Sequence, residues 1–129
     1  MKYLICCMVL VSSLSSHIIF DFNKNSSITN WIVVDDVVMG GRSNGNFQLN
    51  KEGKGVFYGK ISLDNNGGFS SVRYGFNKLN VEKFKSIVLK IKGDSKNYQF
   101  RIKHKSSDYA SYITSFSSSL CLLATWLIK

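Results

Sequence analysis

Two neighbouring segments do most to limit what this chain can become. Ile87, Leu89 and Ile91 alternate with Val88, Lys90 and Lys92, and Tyr98, Phe100 and Ile102 alternate with Gln99, Arg101 and Lys103. A period of two is the repeat of a β-strand, so each segment presents one oily face and one more polar, cationic face. Gly93-Asp94-Ser95 turns the chain between them. No segment sustains the 3.6-residue apolar period of a helix. Further apolar stretches fall at residues 18–22, 31–34, 47–49, 56–63, 69–74 and 109–116, with polar or glycine-containing turns between them. Short strands spaced by about ten residues predict an all-β sandwich or barrel. Within residues 56–63, Phe57, Ile61 and Leu63 share one face with Gly59 and are expected to point inward. Residues 77–85 form a basic connection with room for one helical turn.

A chain of 129 residues suits one domain, and 44% hydrophobic residues suffice to fill its core. With no proline and ten glycines, glycine and Asx residues must shape the turns. Residues 64–68, Asp-Asn-Asn-Gly-Gly, are the strongest such turn. They also offer oxygens in the manner of a calcium loop. The later carboxylates that such a loop needs are missing, so the reading is an Asx turn with no metal and no cofactor.

The formal charge of +9 favours an acidic partner or simply a lysine-studded surface. Nucleic acid is not expected. Tyr98 and Phe100 alternate away from Arg101 and Lys103, which places rings and charge on opposite faces. Cys6, Cys7 and Cys121 have neither disulfide-framework nor metal-ligand spacing. Lys2, then an apolar block over residues 3–11, then small polar residues 12–16 follow the order of an export signal. The alternative is a first buried strand of a cytoplasmic protein.

The stretch from Trp31 to Phe47 draws the functional attention. Ile32, Val33 and Val34 run into Asp35 and Asp36, and Val37, Val38 and Met39 lead to Gly40-Gly41. Consecutive strand residues point to opposite faces, so the two carboxylates do not make a catalytic pair. A structural role is expected instead. One carboxylate would accept N–H groups of the Gly40-Gly41 turn or pair with Arg42 or Arg73. His17 and His104 have no nucleophile placed beside them, so no triad can be built. Trp31 reads as a core anchor. The loops near residues 40–44 and 65–68 are where a partner would dock.

Several stretches together resemble the complex I intermediate-associated protein 30 family. They are Trp31 with V-D-D-V-V-M-G-G-R-S (residues 34–43), G-V-F-Y-G-K-I-S-L (55–63), N-N-G-G-F-S-S-V-R (65–73) and K-G-D-S-K-N-Y (92–98). The resemblance runs over about residues 18–116 and looks like that of a bacterial single-domain member. It implies a jelly-roll β-sandwich similar to galactose-binding domains. It also implies kinship with proteins that assist assembly of respiratory complex I, the NADH:ubiquinone oxidoreductase.

Two departures from the family pattern stand out. Val37 occupies a position where the family usually has glycine, which predicts a different local turn. The non-alternating apolar tail stands where further strands would follow, as after a frameshift; the alternative is that it is itself a fully buried strand.

The expected organisation is therefore an export signal over 1–16, a sandwich domain over 17–116 lacking its last strands, and an atypical tail over 117–129. The expected function is non-enzymatic binding of a protein partner or a carbohydrate through the loops at one end of the sandwich. The alternative is an assembly chaperone for complex I or another membrane complex, associated peripherally with it. The residues expected to carry binding or the family pattern are Trp31, Asp36, Met39, Gly40, Gly41, Arg42, Ser43, Asn65, Asn66, Gly67, Gly68 and Arg73. Export to the periplasm or beyond is expected, with a cytoplasmic location as the alternative.

Overall fold

A computed structural model describes residues 7–11, 16–118 and 122–127. Among these the chain is all-β, with ten strands, two short 3-10 turns and no α-helix. Every strand pairing is antiparallel, and the sheets stay open rather than closing into a barrel, in keeping with a β-sandwich. The strands fall into two compact units, one built on residues 22–76 and the other on the described residues among 7–21 and 77–127.

In the first unit, β3 (Trp31–Asp35) pairs with β6 (Ser70–Tyr74), and β4 (Asn44–Leu49) pairs with β5 (Gly55–Lys60). Its core is aromatic. Trp31 stacks on Tyr74 at 4.7 Å and on Phe47 at 5.2 Å, and Phe22 packs against it at 5.1 Å between ring centroids. Phe22, within this cluster, and Val56 on β5 are buried, at 4% and 1% exposure. Offset rings at these separations attract beyond what their buried area supplies.

One strand ends earlier than its apolar residues imply. β5 stops at Lys60, and Ile61 and Leu63 are 51% and 80% exposed, not turned inward as expected. The cause lies in the neighbouring strand. β4 begins only at Asn44, opposite Lys60, so no ladder partner remains to hold residues 61–63 in register. Val56, on the other face from Phe57, is the buried residue instead.

The second unit carries a four-stranded sheet in the order β10-β7-β1-β2 and a separate ribbon of β8 (Asn97–Ile102) with β9 (Tyr112–Ser117). β7 (Ser86–Ile91) sits inside the sheet with Ile87, Leu89 and Ile91 buried, the face that the alternation predicts. β2 spans Ser16–Phe20. β1 (Cys7–Val11) lies between β7 and β2, so part of the segment with export-signal order is paired as a strand. The rest of that segment, residues 1–6 and 12–15, lies outside the described residues. The apolar tail also supplies a strand. β10 (Leu122–Leu127) pairs along the whole of β7. Residues 77–85 hold no helical turn; a simple turn closes with Phe84 N–H donating to Val81 O at 2.9 Å.

Truncating the centre of β7 should test this sheet. Leu89→Ala removes a side chain 3% exposed and should cost about 3 kcal/mol in urea unfolding. Ile32→Ala, at a position 60% exposed, should change stability by no more than about 0.5 kcal/mol. Equal costs at the two positions would show that β7 is not the core of its unit.

Candidate functional site

The residues expected to carry function gather at one end of the first unit, around Asp36. β3 ends at Asp35, and residues Asp36–Met39 form a 3-10 turn closed by Gly40. Gly40 takes φ = 87°, a left-handed conformation that a side chain disfavours, and its N–H donates to Val37 O at 3.0 Å. The positive φ thus falls on Gly40. Val37 keeps an ordinary negative φ inside the turn, so a β-branched residue fits where the family usually has glycine.

Asp36 is wholly buried, and four donors converge on its carboxylate. Ser43 donates twice, its N–H to Oδ1 at 2.8 Å and its hydroxyl to Oδ2 at 2.5 Å. The N–H groups of Gly68 and Phe69 reach Oδ2 at 2.6 and 3.3 Å. Burial pushes the Asp36 carboxyl up, but these hydrogen bonds together outweigh it and hold the group at about 2, below its ordinary 3.8. Ser43 extends the network, because its hydroxyl oxygen accepts the Ser62 N–H at 3.0 Å. One side chain therefore joins residues 36–43 to residues 62–69. The expected role for an aspartate here holds in kind but not in partner. The N–H groups come from Ser43, Gly68 and Phe69, whereas the Gly41 N–H donates to the Asp36 backbone oxygen.

Close approach explains two of the glycines. A Cβ at Gly41 would strike the Asp36 carboxyl carbon, and one at Gly67 would strike its Oδ2. Neither position has room for a methyl group.

Asp35 serves separate partners. Its Oδ2 accepts the Gly45 N–H at 2.9 Å, while its Oδ1 and the Ser70 hydroxyl opposite are buried without a hydrogen-bond partner. Neither arginine pairs with these carboxylates as expected. Arg42 lies 4.0 Å from Asp64, both well exposed, and Arg73 Nε donates to Ser71 Oγ at 3.2 Å. An exposed pair at that distance contributes little.

The second turn, Asp64–Asn66, is the Asx-rich one, with Asn65 and Asn66 at φ of 55° and 59°. Asn65 Nδ2 donates to Gly40 O at 3.1 Å and so ties the two turns together. Above the buried hub stands an apolar crown. Val37, Val38, Met39 and Leu63 are 60%, 73%, 65% and 80% exposed. Sequence reasoning placed only Met39 of these in the site. The available signal was three apolar residues ahead of a Gly-Gly pair, where no strand alternation buries them.

Of the expected residues, Asp36, Met39, Gly40, Gly41, Arg42, Ser43, Asn65, Asn66, Gly67 and Gly68 meet at this tip. Trp31 and Arg73 do not. Trp31 begins β3, four residues from Asp35, and Arg73 pairs with Ile32. Trp31 belongs to the aromatic core.

The hub can be tested by mutation and by pH. Ser43→Ala leaves the Ser62 N–H without its acceptor and should cost about 1–3 kcal/mol. Because the Asp36 carboxyl is depressed on folding, its contribution is fully present above pH 3.8 and lost as pH falls through about 2. The melting temperature of the intact chain should drop across that window, and Asp36→Asn should flatten the drop. A drop of the same size in Asp36→Asn would remove Asp36 as its source.

With the geometry in place, comparison with known proteins adds one finding. No curated protein and no solved structure matches the chain. The model of the family described as complex I intermediate-associated protein 30 (CIA30) matches residues 20–121, well over half of the chain and several residues beyond the stretch in which the resemblance is legible by eye. That span takes in both turns of the tip, the Asp36 hub and all of β3 to β9. The chain belongs to the complex I intermediate-associated protein 30 family.

Proposed function

We propose that this chain is a non-catalytic binding domain that holds a protein partner against the tip of its first unit. The observation that carries the reading is the apolar crown. Val37, Val38, Met39 and Leu63 stand out from a network of short hydrogen bonds and bury little of themselves in their own chain. Exposed apolar side chains clustered in this way mark an interaction site, whereas singly scattered ones do not. A protein surface can cover such a crown. A carbohydrate needs convergent polar groups, and here the polar groups of Asp36 and Ser43 are turned inward and used up.

The same bookkeeping supports a role without catalysis. The Asp36 carboxylate accepts four hydrogen bonds, which is its full complement, so it is a poor proton acceptor for a substrate. Family membership suggests an assembly-related domain, and the partner best matched to that is a subunit or intermediate of complex I. A cytoplasmic location suits such a partner, whereas export over residues 1–16 would exclude contact with an assembly intermediate on the inner side. The N-terminal sequence of the mature protein distinguishes them.

The crown should be separable from the fold. Val38→Asp combined with Leu63→Ser changes exposed positions only and should move stability by no more than about 0.5 kcal/mol each. On native gels of solubilised membranes, the wild-type chain should migrate with complex I intermediates and the double variant should not. A double variant that migrates with them as well as wild type would end this reading. Binding in a glycan array that the double variant abolishes would replace the protein partner with a sugar.

A further inference from the structure

The β8–β9 ribbon ends in a cluster of side chains that belongs to neither the Asp36 hub nor the apolar crown. β8 stops at Ile102 and β9 starts at Tyr112. Those two residues are paired, as are Arg101 and Ile113 one step back along the ribbon. Side chains alternate between faces along a strand, so Ile102 and Tyr112 share one face and Arg101 and Ile113 share the other. The opposite end of the ribbon is closed by its own contacts. There Tyr98 stacks on Phe116 at 6.0 Å between ring centroids, and its hydroxyl donates to Asp94. The loop end differs. Tyr109 in the loop is 104% exposed, Tyr112 is 77% exposed and Ile113 is 52% exposed. Large side chains therefore stand in water on both faces of one hairpin end.

The same end is cationic. Arg101, Lys103 and Lys105 are all exposed, and Asp108 is the one carboxylate in residues 97–117. Two of the cations are hydrogen-bonded to neutral oxygens. Arg101 Nη2 donates to Gln99 Oε1 at 2.7 Å, and Lys103 Nζ donates to the Asp108 backbone oxygen at 2.6 Å. Bonds of this kind orient a charge without cancelling it. The Asp108 carboxylate is turned back on its own loop, where Oδ2 accepts the Lys105 N–H at 3.0 Å and lies 3.9 Å from His104 Nδ1. The wider setting has the same sign. Residues 77–118 hold nine Lys or Arg, every one exposed, and three Asp or Glu, whereas residues 22–76 hold six and four.

We propose that this hairpin end docks the chain, end-on, against the surface of an anionic bilayer. Exposed apolar side chains clustered in one place mark a protein or membrane contact. Tyrosine is the residue suited to the second, because its ring is apolar and its hydroxyl stays wet at headgroup level. Basic side chains beside the rings gain from the negative charge of the lipid surface, each raising the partition by about fivefold. Charge of opposite sign on the partner is what Arg101, Lys103 and Lys105 select.

The spread over both faces separates a bilayer from the other anionic partners. A nucleic-acid strand needs stacking rings and cations on one face, and here Tyr112 and Arg101 lie on opposite ones. A protein laid along the ribbon would cover one face and leave Tyr112 or Ile113 in water. An interface into which the hairpin end dips surrounds both faces at once. The loop meets it ready-shaped, because the Asp108 N–H also donates to Lys105 O at 3.1 Å and Tyr109 follows directly in the chain. Little ordering cost is then left for binding.

The experiment is co-sedimentation of the full chain with vesicles of mixed phosphatidylglycerol and phosphatidylcholine, alongside pure phosphatidylcholine vesicles and an oligo(dT) strand. Saturable binding to the mixed vesicles is expected, at least tenfold tighter than to pure phosphatidylcholine and weakened by added salt. Tyr109→Ser with Tyr112→Ser should weaken it tenfold or more, and Tyr109→Phe with Tyr112→Phe should preserve it. Lys103→Gln with Lys105→Gln should also weaken it tenfold or more. Val38→Asp with Leu63→Ser should bind the vesicles as wild type does, which sets this surface apart from the crown. Circular dichroism and the melting temperature check that each variant is folded. Absence of saturable binding to the mixed vesicles, or equal binding by wild type and the folded double serine variant, would overturn the proposal. So would tighter binding of the oligonucleotide, which would assign the cations to nucleic acid, or loss of vesicle binding in the crown variant, which would assign it to the first unit.

Discussion

Asp36 carries a negative charge with no contact to solvent, and the tip of the first unit depends on how that charge is satisfied. An isolated buried carboxylate is expensive, and it becomes tolerable only when donors replace its water. Here the donors are two groups of Ser43 and the N–H groups of Gly68 and Phe69. They come from segments more than twenty residues apart in the chain, so satisfying one side chain fixes the relative position of both turns. The depressed carboxyl at about 2 is the outward sign that the donors outweigh the burial. A hydrophobic residue of similar size would pack here more cheaply, but it would leave three N–H groups without acceptors.

The second unit solves a similar problem with similar parts. Ser118 is wholly buried, its hydroxyl donates to Lys96 O at 2.9 Å, and it accepts the Asp94 N–H at 3.2 Å. Asp94 in turn accepts the Tyr98 hydroxyl at 2.9 Å. Burial of Tyr98, reinforced by that bond and by the Asp94 charge, pushes the phenol up to about 12. In both units an aspartate and a serine together anchor the backbone of a loop, seven residues apart in the first unit and 24 apart in the second. Ser118 falls just past the last strand that alternation marks, within the span of the family match. Ser118 therefore takes part in the hydrogen bonding of this unit, two residues past the expected domain boundary at 116.

How much was legible follows from which forces act locally. Ile87, Leu89 and Ile91 were readable because burial on a strand repeats every two residues, whatever the rest of the chain does. The Asx turn at residues 64–68 was readable because left-handed backbone is a property of Asn and Gly themselves. Ile61 and Leu63 were misread because their exposure is decided by where the partner strand starts, which is a fact about residue 44. The donors to Asp36 were out of reach for the same reason. Two of them lie more than thirty residues away, and nothing in a window around Asp36 names Gly68 or Phe69. The strand β10 was legible only as an alternative, because an apolar run without alternation has no period with which to announce itself.

The division of labour at the tip follows from where the polar and apolar groups ended up. In most surface loops the polar groups face water and the apolar ones turn inward. Here Asp36 and Ser43 are inside, and Val37, Val38, Met39 and Leu63 are outside. Folding gains nothing from that arrangement, since burying the four apolar side chains would be worth more than leaving them out. The turn does not bury them because its backbone is held from beneath. Gly41 and Gly67 press directly on the Asp36 carboxylate, so the loop cannot roll over to hide its apolar side without breaking the hub. Under the proposed protein-binding role, a surface kept apolar by a rigid support would be pre-organised, because little ordering cost would remain to be met on binding. The same support explains why a β-branched residue is tolerated at position 37. It points away from the hub, and its stiffness limits the number of shapes that the crown can present.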